Sequence, residues 1–311
     1  MLIHVRTRGR PRNQDYQFLG EAPEEFWWRD YRPVTDIERP TILVRSDGAT
    51  WQGYISGITS ERLDSTEITI QLNLALAGEC GSTDDNALAL SIITRSAAGL
   101  AQRAGQSIPG DLLDKQLPAE EVERMLDAPG APTMARAADA VRAAYAPLAE
   151  AVPAGPVLAE AAQAAPVPAE AAAVTTPLPD GDWMGGVTDT AALEAFATLT
   201  ARLLGGQAGR ALALNLVEDP ADLAELPAGA GSTGVLSARP GPHLGLAVQS
   251  LGKAGAPPAT EAAGSGKQRT PGRHRSRPAG LSRNRALILA GAVVAVVAVA
   301  IVIAWLVIAK G

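Results

Sequence analysis

The chain has 311 residues, enough for one large domain or two small ones, and 47% of them are hydrophobic while only 4% are aromatic. Alanine supplies much of that hydrophobic fraction and buries little area per residue, so the fraction overstates the core; the abundance of Ala, Gly, Pro and Arg is the habit of a GC-rich bacterial genome. All 33 acids lie before Ala262, as do 19 of the 27 basic residues, which gives residues 1–261 a net charge of −14. An acidic body of this kind repels phosphate backbones, which makes nucleic acid an unfavourable partner for it. The single cysteine, Cys80, excludes an intrachain disulfide. Charges within Met1–Arg10 stand where a cleaved signal would need an apolar run.

In chain order, Leu2–Val5 reads as a strand. Asp15–Leu19 and Glu25–Tyr31 then hold half of the chain's aromatics: Tyr16, Phe18, Phe26, Trp27, Trp28 and Tyr31. Thr41–Arg45, the turn Ser46-Asp47-Gly48 and Trp51–Ile58 predict a hairpin. Ser60–Asp64 follows as a charged loop. Thr66–Leu76 alternates, with Ile68, Ile70, Leu72, Leu74 and Leu76 on one side, and predicts a half-buried strand. Asp84 and Asp85 open a helical pattern through about Leu100, and Pro118–Leu126 predicts another helix.

Residues 129–180 are rich in Ala and Pro, with the near-repeat P-V-x-A-E-A-A occurring twice. A helix over Ala135–Ala146 is expected there, and the rest reads as a linker or insertion. Order resumes over 181–252. Thr188-Asp189-Thr190 starts a helix that runs to about Leu204 and ends at Gly205-Gly206. Ala211–Val217, Gly234–Ala238 and Leu244–Val248 read as short strands. The expected fold is α+β, a mixed sheet with packed helices, its body formed by 1–128 and 181–252 around the insertion. Two separate small domains are the alternative.

Residues 253–285 form a basic neck of Gly, Pro, Ser, Thr and Arg with almost no large apolar side chain, the composition of a disordered segment. About 30 such residues span roughly 30 Å. Ala286–Ala309 contains only apolar residues and glycine. As a helix it spans about 36 Å, sufficient for a hydrocarbon core of about 30 Å. A buried core helix is the competing reading.

Lys267, Arg269, Arg273, Arg275, Arg277, Arg283 and Arg285 precede this run and only Lys310 follows it. That asymmetry predicts a single-pass, tail-anchored protein in the cell membrane with its N-terminal body in the cytoplasm. The seven basic residues are expected to touch anionic lipid headgroups, and Trp305 to anchor at the far interface. Gly291 and Ala295 form a small-xxx-small pair that would let two such helices form a weak homodimer.

Chemistry-bearing patterns are sparse. His4, His243, His274 and Cys80 show no metal-ligand spacing, and no G-x-S-x-G elbow occurs. Gly229-Ala-Gly231-Ser-Thr-Gly234 matches G-x-G-x-x-G but precedes a β run instead of a helix. Gly264-Ser-Gly266-Lys267 lacks the first glycine and the Ser/Thr of a phosphate loop. No cofactor, metal or catalytic residue is expected.

The candidate partner contacts are Tyr16, Phe18, Trp27, Trp28 and Tyr31, residue types favoured at binding hot spots, together with Arg62 in the charged Ser60–Asp64 run. The aromatics equally suit a core otherwise short of aromatic volume. The runs DYQFLG (Asp15–Gly20), ILVRSDG (Ile42–Gly48) and GYISGITSERLD (Gly53–Asp64) resemble N-terminal modules of uncharacterised actinobacterial proteins linked to GTPase-associated, conflict-type systems, over about residues 1–80. That resemblance implies a scaffolding or sensing part within a larger assembly. The expected role is an adaptor that holds a protein partner at the membrane. The alternatives are a membrane-tethered enzyme of unrecognised fold, or lipid or nucleic-acid contact through the basic neck.

Overall fold

The computed structural model describes residues 1–11, 15–35, 39–150, 182–218, 220–227, 229–238 and 249–251. The chain divides into two units, Met1–Pro257 and Pro258–Gly311, and every described residue belongs to the first. The expected neck over 253–285, the apolar run 286–309, the β run Leu244–Val248 and residues 151–181 lie outside the described residues. Among the described residues no helix is long and apolar enough to cross a membrane.

The first half comprises β1 (Leu2–Thr7), β2 (Gln17–Phe18), a 3-10 helix (Trp27–Val34), β3 (Thr41–Ser46), β4 (Thr50–Leu63) and β5 (Thr69–Glu79). It continues with α1 (Thr83–Gln102), β6 (Ile108–Pro109), α2 (Asp111–Gln116), α3 (Ala119–Asp127) and α4 (Ala131–Glu150). The second half comprises β7 (Asp182–Gly186), α5 (Thr190–Leu204), β8 (Gly209–Leu214), a second 3-10 helix (Pro220–Glu225), β9 (Ser232–Ser237) and β10 (Gln249–Leu251).

The fold is α+β, a mixed sheet with packed helices. One sheet takes strands from both halves in the order β10-β7-β9-β8-β3-β4-β5-β1-β2, with β6 beside β4. β7, β9 and β8 run parallel, and the other neighbours along that order are antiparallel. The halves join where β3 pairs with β8, from Ile42 opposite Ala213 to Ser46 opposite Gly209.

Strand alternation divides the core into two layers. Ile42, Val44, Trp51, Ile55, Leu72, Leu74, Ala211, Ala213 and Leu236 point to the face that α1–α5 cover. Leu43, Tyr54, Ala75, Met184, Leu212, Leu214 and Val235 point to the opposite face, beneath the 3-10 helices. The connection from β7 to β8 crosses by α5 on the first face, and that from β8 to β9 returns over the second. Opposite directions on opposite faces give both crossovers the same hand.

Local chemistry sets the element ends. Asp47 closes the β3–β4 turn, its Oδ1 accepting from the Ala49 and Thr50 amides at 2.8 Å. These bonds hold its carboxyl below the usual range. Asp189 caps α5 by accepting from the Ala191 amide at 2.9 Å. The cap of α1 is Ser82, with Asp84 and Asp85 in the first turn, where their charge suits the helix dipole.

At Gly57, β4 bulges: the register with β5 shifts between Ile55 and Ile58, and Gly57 has φ +75°. Its amide donates to Asn73 Oδ1 at 3.1 Å, and a Cβ there would stand 2.6 Å from Pro40 Cα. Only glycine suits that position.

One expectation changes: Ser60–Leu63 is the end of β4, not a loop. The helix expected over Ala135–Ala146 lies within α4, which buries Ala137, Ala138, Ala140, Val141, Ala144 and Tyr145. Small side chains let this helix lie close to its neighbours, and Pro147, which lacks a backbone donor, falls in its last turn. The G-x-G-x-x-G pattern also finds a packing explanation. A Cβ at Gly231 would stand 1.9 Å from Ala208 O, and one at Gly234 would enter the Trp183 indole at 2.4 Å.

Asn86 of α1 clasps the halves together. Its Oδ1 accepts from Trp51 Nε1 at 2.9 Å, and its Nδ2 donates to Leu204 O at the end of α5 at 2.7 Å. The Gly81 amide donates to the same carbonyl at 3.0 Å. We predict that Asn86→Ala lowers unfolding free energy by about 2 kcal/mol in urea titration, because it leaves the Trp51 donor unpaired. Asp84→Ala, at an exposed position, should change it by less than about 0.5 kcal/mol.

Candidate functional site

The first 3-10 helix lays an aromatic chain across the sheet. His4 meets Phe18 edge-on at 6.2 Å, Phe18 meets Phe26 at 5.9 Å, and Phe26 meets Trp28 at 5.3 Å. Trp28 lies flat on Tyr54, with centroids 4.4 Å apart and planes 3° from parallel. Trp27 contacts both Trp28 and Tyr31 edge-on. Each contact adds about 0.5–1.5 kcal/mol to area burial.

Of the expected contact residues, Trp27, Trp28 and Tyr31 are 3%, 5% and 3% exposed. Their rings are core, and the part of this layer that a partner can reach is its rim. Tyr16 and Phe18 are half-buried. Tyr16 lies between Arg6 and Arg8, each guanidinium 5.7 Å from its ring. Arg29 stands over Phe26 at 4.4 Å and Arg45 over Trp27 at 4.6 Å. Burial raises the Tyr54 pKa, opposed by Arg6, and raises that of Tyr31, opposed by Arg210 and Arg45. The rim therefore combines guanidinium donors with aromatic edges, a chemistry that recognises anionic and planar groups.

Arg62 lies elsewhere. It is 3% exposed, on the helix-covered face, and it ties β1, β4 and α3 together. Nη2 donates to Thr7 Oγ1, Nη1 to Arg8 O at 3.2 Å and Nε to Ser60 Oγ at 3.3 Å; Glu123 Oε1 stands 3.7 Å from Nη1. Burial lowers its pKa, and the Glu123 and Asp114 carboxylates oppose that. This buried node is not in the aromatic layer, so the structure does not bring Arg62 together with Phe18, Trp27, Trp28 and Tyr31; Tyr16 alone of the five borders it, through Arg8. At the next turn, Asp64 Oδ1 accepts from the Thr66 and Ile68 amides, and Oδ2 from Arg8 Nη2 at 2.8 Å. The Ile68 amide first, then Thr66, lower its pKa to about 2.

The rim arginines Arg6, Arg29, Arg45 and Arg210 were not among the expected contacts. Their signal is alternation: Arg45 is two residues from Leu43, and Arg210 two from Leu212, so each shares its neighbour's face. Among the described residues no group of three or more His, Cys, Asp or Glu is placed to hold a metal ion. His4 Nδ1 lies 3.0 Å from Glu21 O, and Cys80 Sγ lies 3.5 Å from Ser46 Oγ and from Leu203 O. His243, His274, the seven basic residues from Lys267 to Arg285 and Trp305 lie outside the described residues. The chain matches no family model, no curated protein and no solved structure.

Two measurements check the assignments. Trp28→Ala should lower unfolding free energy by about 3–5 kcal/mol, the cost of emptying a large aromatic site; a ring serving only as an external contact would cost little. Asp64 contributes stability that is complete above its ordinary pKa of 3.8 and is lost as pH falls toward about 2. The melting temperature of the native chain should therefore fall more steeply between pH 4 and pH 2 than that of Asp64→Asn.

Proposed function

We propose that the chain is a membrane-anchored adaptor that holds a protein partner at the cytoplasmic face of the cell membrane. One observation carries this reading: the 24-residue apolar run Ala286–Ala309, with seven basic residues before it and one after it. The basic residues of 267–285 rest against anionic headgroups, and Trp305 lies at the far interface. The acidic body extends from the membrane on the neck. The partner engages the rim of the aromatic layer, where Tyr16 stands beside Arg6 and Arg8, and Phe26, in contact with Phe18, lies beneath Arg29. Anchoring confines both molecules to one surface and raises the partner's effective concentration there.

The test compares the full chain with a version ending at Arg285, both carrying an N-terminal tag. We expect the full chain to fractionate with membranes and its tag to resist protease added to spheroplasts, while the shorter chain is soluble. Digestion of the tag on intact spheroplasts would contradict the cytoplasmic orientation. Membrane association of the shorter chain would contradict anchoring through the apolar run alone.

A further inference from the structure

β4 is longer than the strands beside it. β3 pairs with it no further than Ser56, and β6 then covers the same edge at Ile58 and Thr59. Beyond that point Asp114 of α2 takes the place of a strand. One of its carboxylate oxygens accepts from the Glu61 amide at 2.7 Å and the other from Ser60 Oγ. Glu123 of α3 accepts from the Arg10 amide at 3.1 Å and stands by Arg62. Residues 111–128 are thus joined to the sheet by two carboxylates and by the apolar side chains of Leu113, Leu117, Val122, Met125 and Leu126, with no strand of their own. Glycine marks both ends. Gly110 lies so close to Thr59 O that a Cβ would stand 2.3 Å away, and Gly130 follows the exposed Ala128 and Pro129.

These two carboxylates face a buried cation. The Arg62 guanidinium donates to Thr7 Oγ1, Arg8 O and Ser60 Oγ, all of them neutral. Its charge is offset by Glu123, 3.7 Å from Nη1, and by the field of Asp114, while Arg10 adds a like charge from the chain after β1. Arg8 is matched by Asp64, which Ile68 and Thr66 hold ionised until the pH falls to about 2, and Tyr16 lies beyond Arg8. Glu61 of β4 is exposed, as are Asp111 and Lys115 of α2 and Glu120, Arg124 and Asp127 of α3. From α4, Arg136 binds Glu121 at 2.7 Å, and Tyr145 lies in the field of Asp111. A guanidinium keeps its proton at any ordinary pH. Loss of charge from Glu123 and Asp114 therefore leaves a buried cation without a counter-ion, a costly state.

We propose that Arg62 is an electrostatic latch for α2 and α3: residues 111–128 form a flap that rests on the sheet while Glu123 and Asp114 are ionised, and that lifts as a unit when acid neutralises them, with the rest of the body still folded. The attachment is complete when both carboxylates are charged and is lost as pH falls. Helices of six and nine residues have little stability of their own, so once detached they unwind. The latch does not depend on the adaptor reading.

The test is hydrogen exchange of the full chain in mild detergent, read by mass spectrometry from pH 7 to pH 3 and corrected for the intrinsic rate at each pH. We expect peptides of α2 and α3 to lose protection at a higher pH than those of β3, β5 and α1. At pH 7, Glu123→Gln combined with Asp114→Asn should speed exchange in the flap about 100-fold and leave β3 and β5 unchanged. Arg62→Met, which replaces the buried cation with an apolar chain, should keep the flap protected across the same pH range. The pH series on the native chain keeps the test decisive if a variant fails to fold. Loss of protection in α2 and α3 only together with β3 and β5, unchanged exchange in the double variant, or the native pH sensitivity persisting in Arg62→Met would overturn the proposal.

Discussion

The pairing of β3 with β8 is the constraint on which the rest depends. Without it, the antiparallel strands of the first half would end in an open edge at Thr41–Ser46, and the parallel strands of the second at Gly209–Leu214. Unpaired edges of that kind invite association with other chains. Joined, they form one sheet wide enough for α1 and α5 to pack side by side, and the clasp at Asn86 depends on that proximity. Asn215 adds a second tie, donating from Nδ2 to Pro40 O at 3.1 Å and to Thr41 Oγ1 at 2.7 Å.

The two faces of the sheet solve the same problem differently. On the helical face, alanine-rich helices approach closely, and bulk comes from a few large rings seated over glycines. Trp51 covers Gly78 and Trp183 covers Gly234, where a Cβ would come within 2.7 Å and 2.4 Å of the indoles. On the opposite face a short 3-10 helix brings aromatic volume instead. Concentrating six of the chain's twelve aromatics in sixteen residues provides a lid for the face of the sheet opposite α1–α5. The same lid places arginines at its border, so the packing solution also creates the surface with the most distinctive chemistry.

Elements governed by nearby residues were legible in the sequence. The β3–β4 hairpin follows from its Ser-Asp-Gly turn, β5 from strict alternation, and α5 from its Asp cap and Gly stop. The first 3-10 helix was not legible, because its aromatics follow no helical or strand period and Pro33 lies within it. The order of strands was not legible either, since the β3–β8 pairing joins residues far apart in sequence. At the candidate site, the aromatic cluster was visible as a cluster, but its burial depends on Tyr54 lying beneath Trp28. Arg62 stands in a charged run, Ser60–Asp64, whose composition suits a loop. Alternation held the better clue: Glu61 and Leu63 point to solvent, while Ser60, Arg62 and Asp64 point inward.

In this account, the ordered body is a single cooperative unit built from both halves of the chain, with an arginine-bordered aromatic layer on one face. The most direct test places a protease site within residues 151–181 and cleaves the purified protein. The account predicts that the two fragments stay together through size-exclusion chromatography and melt in one transition. Separation of the fragments under native conditions, or two independent melting transitions, would contradict it and leave two small domains in its place.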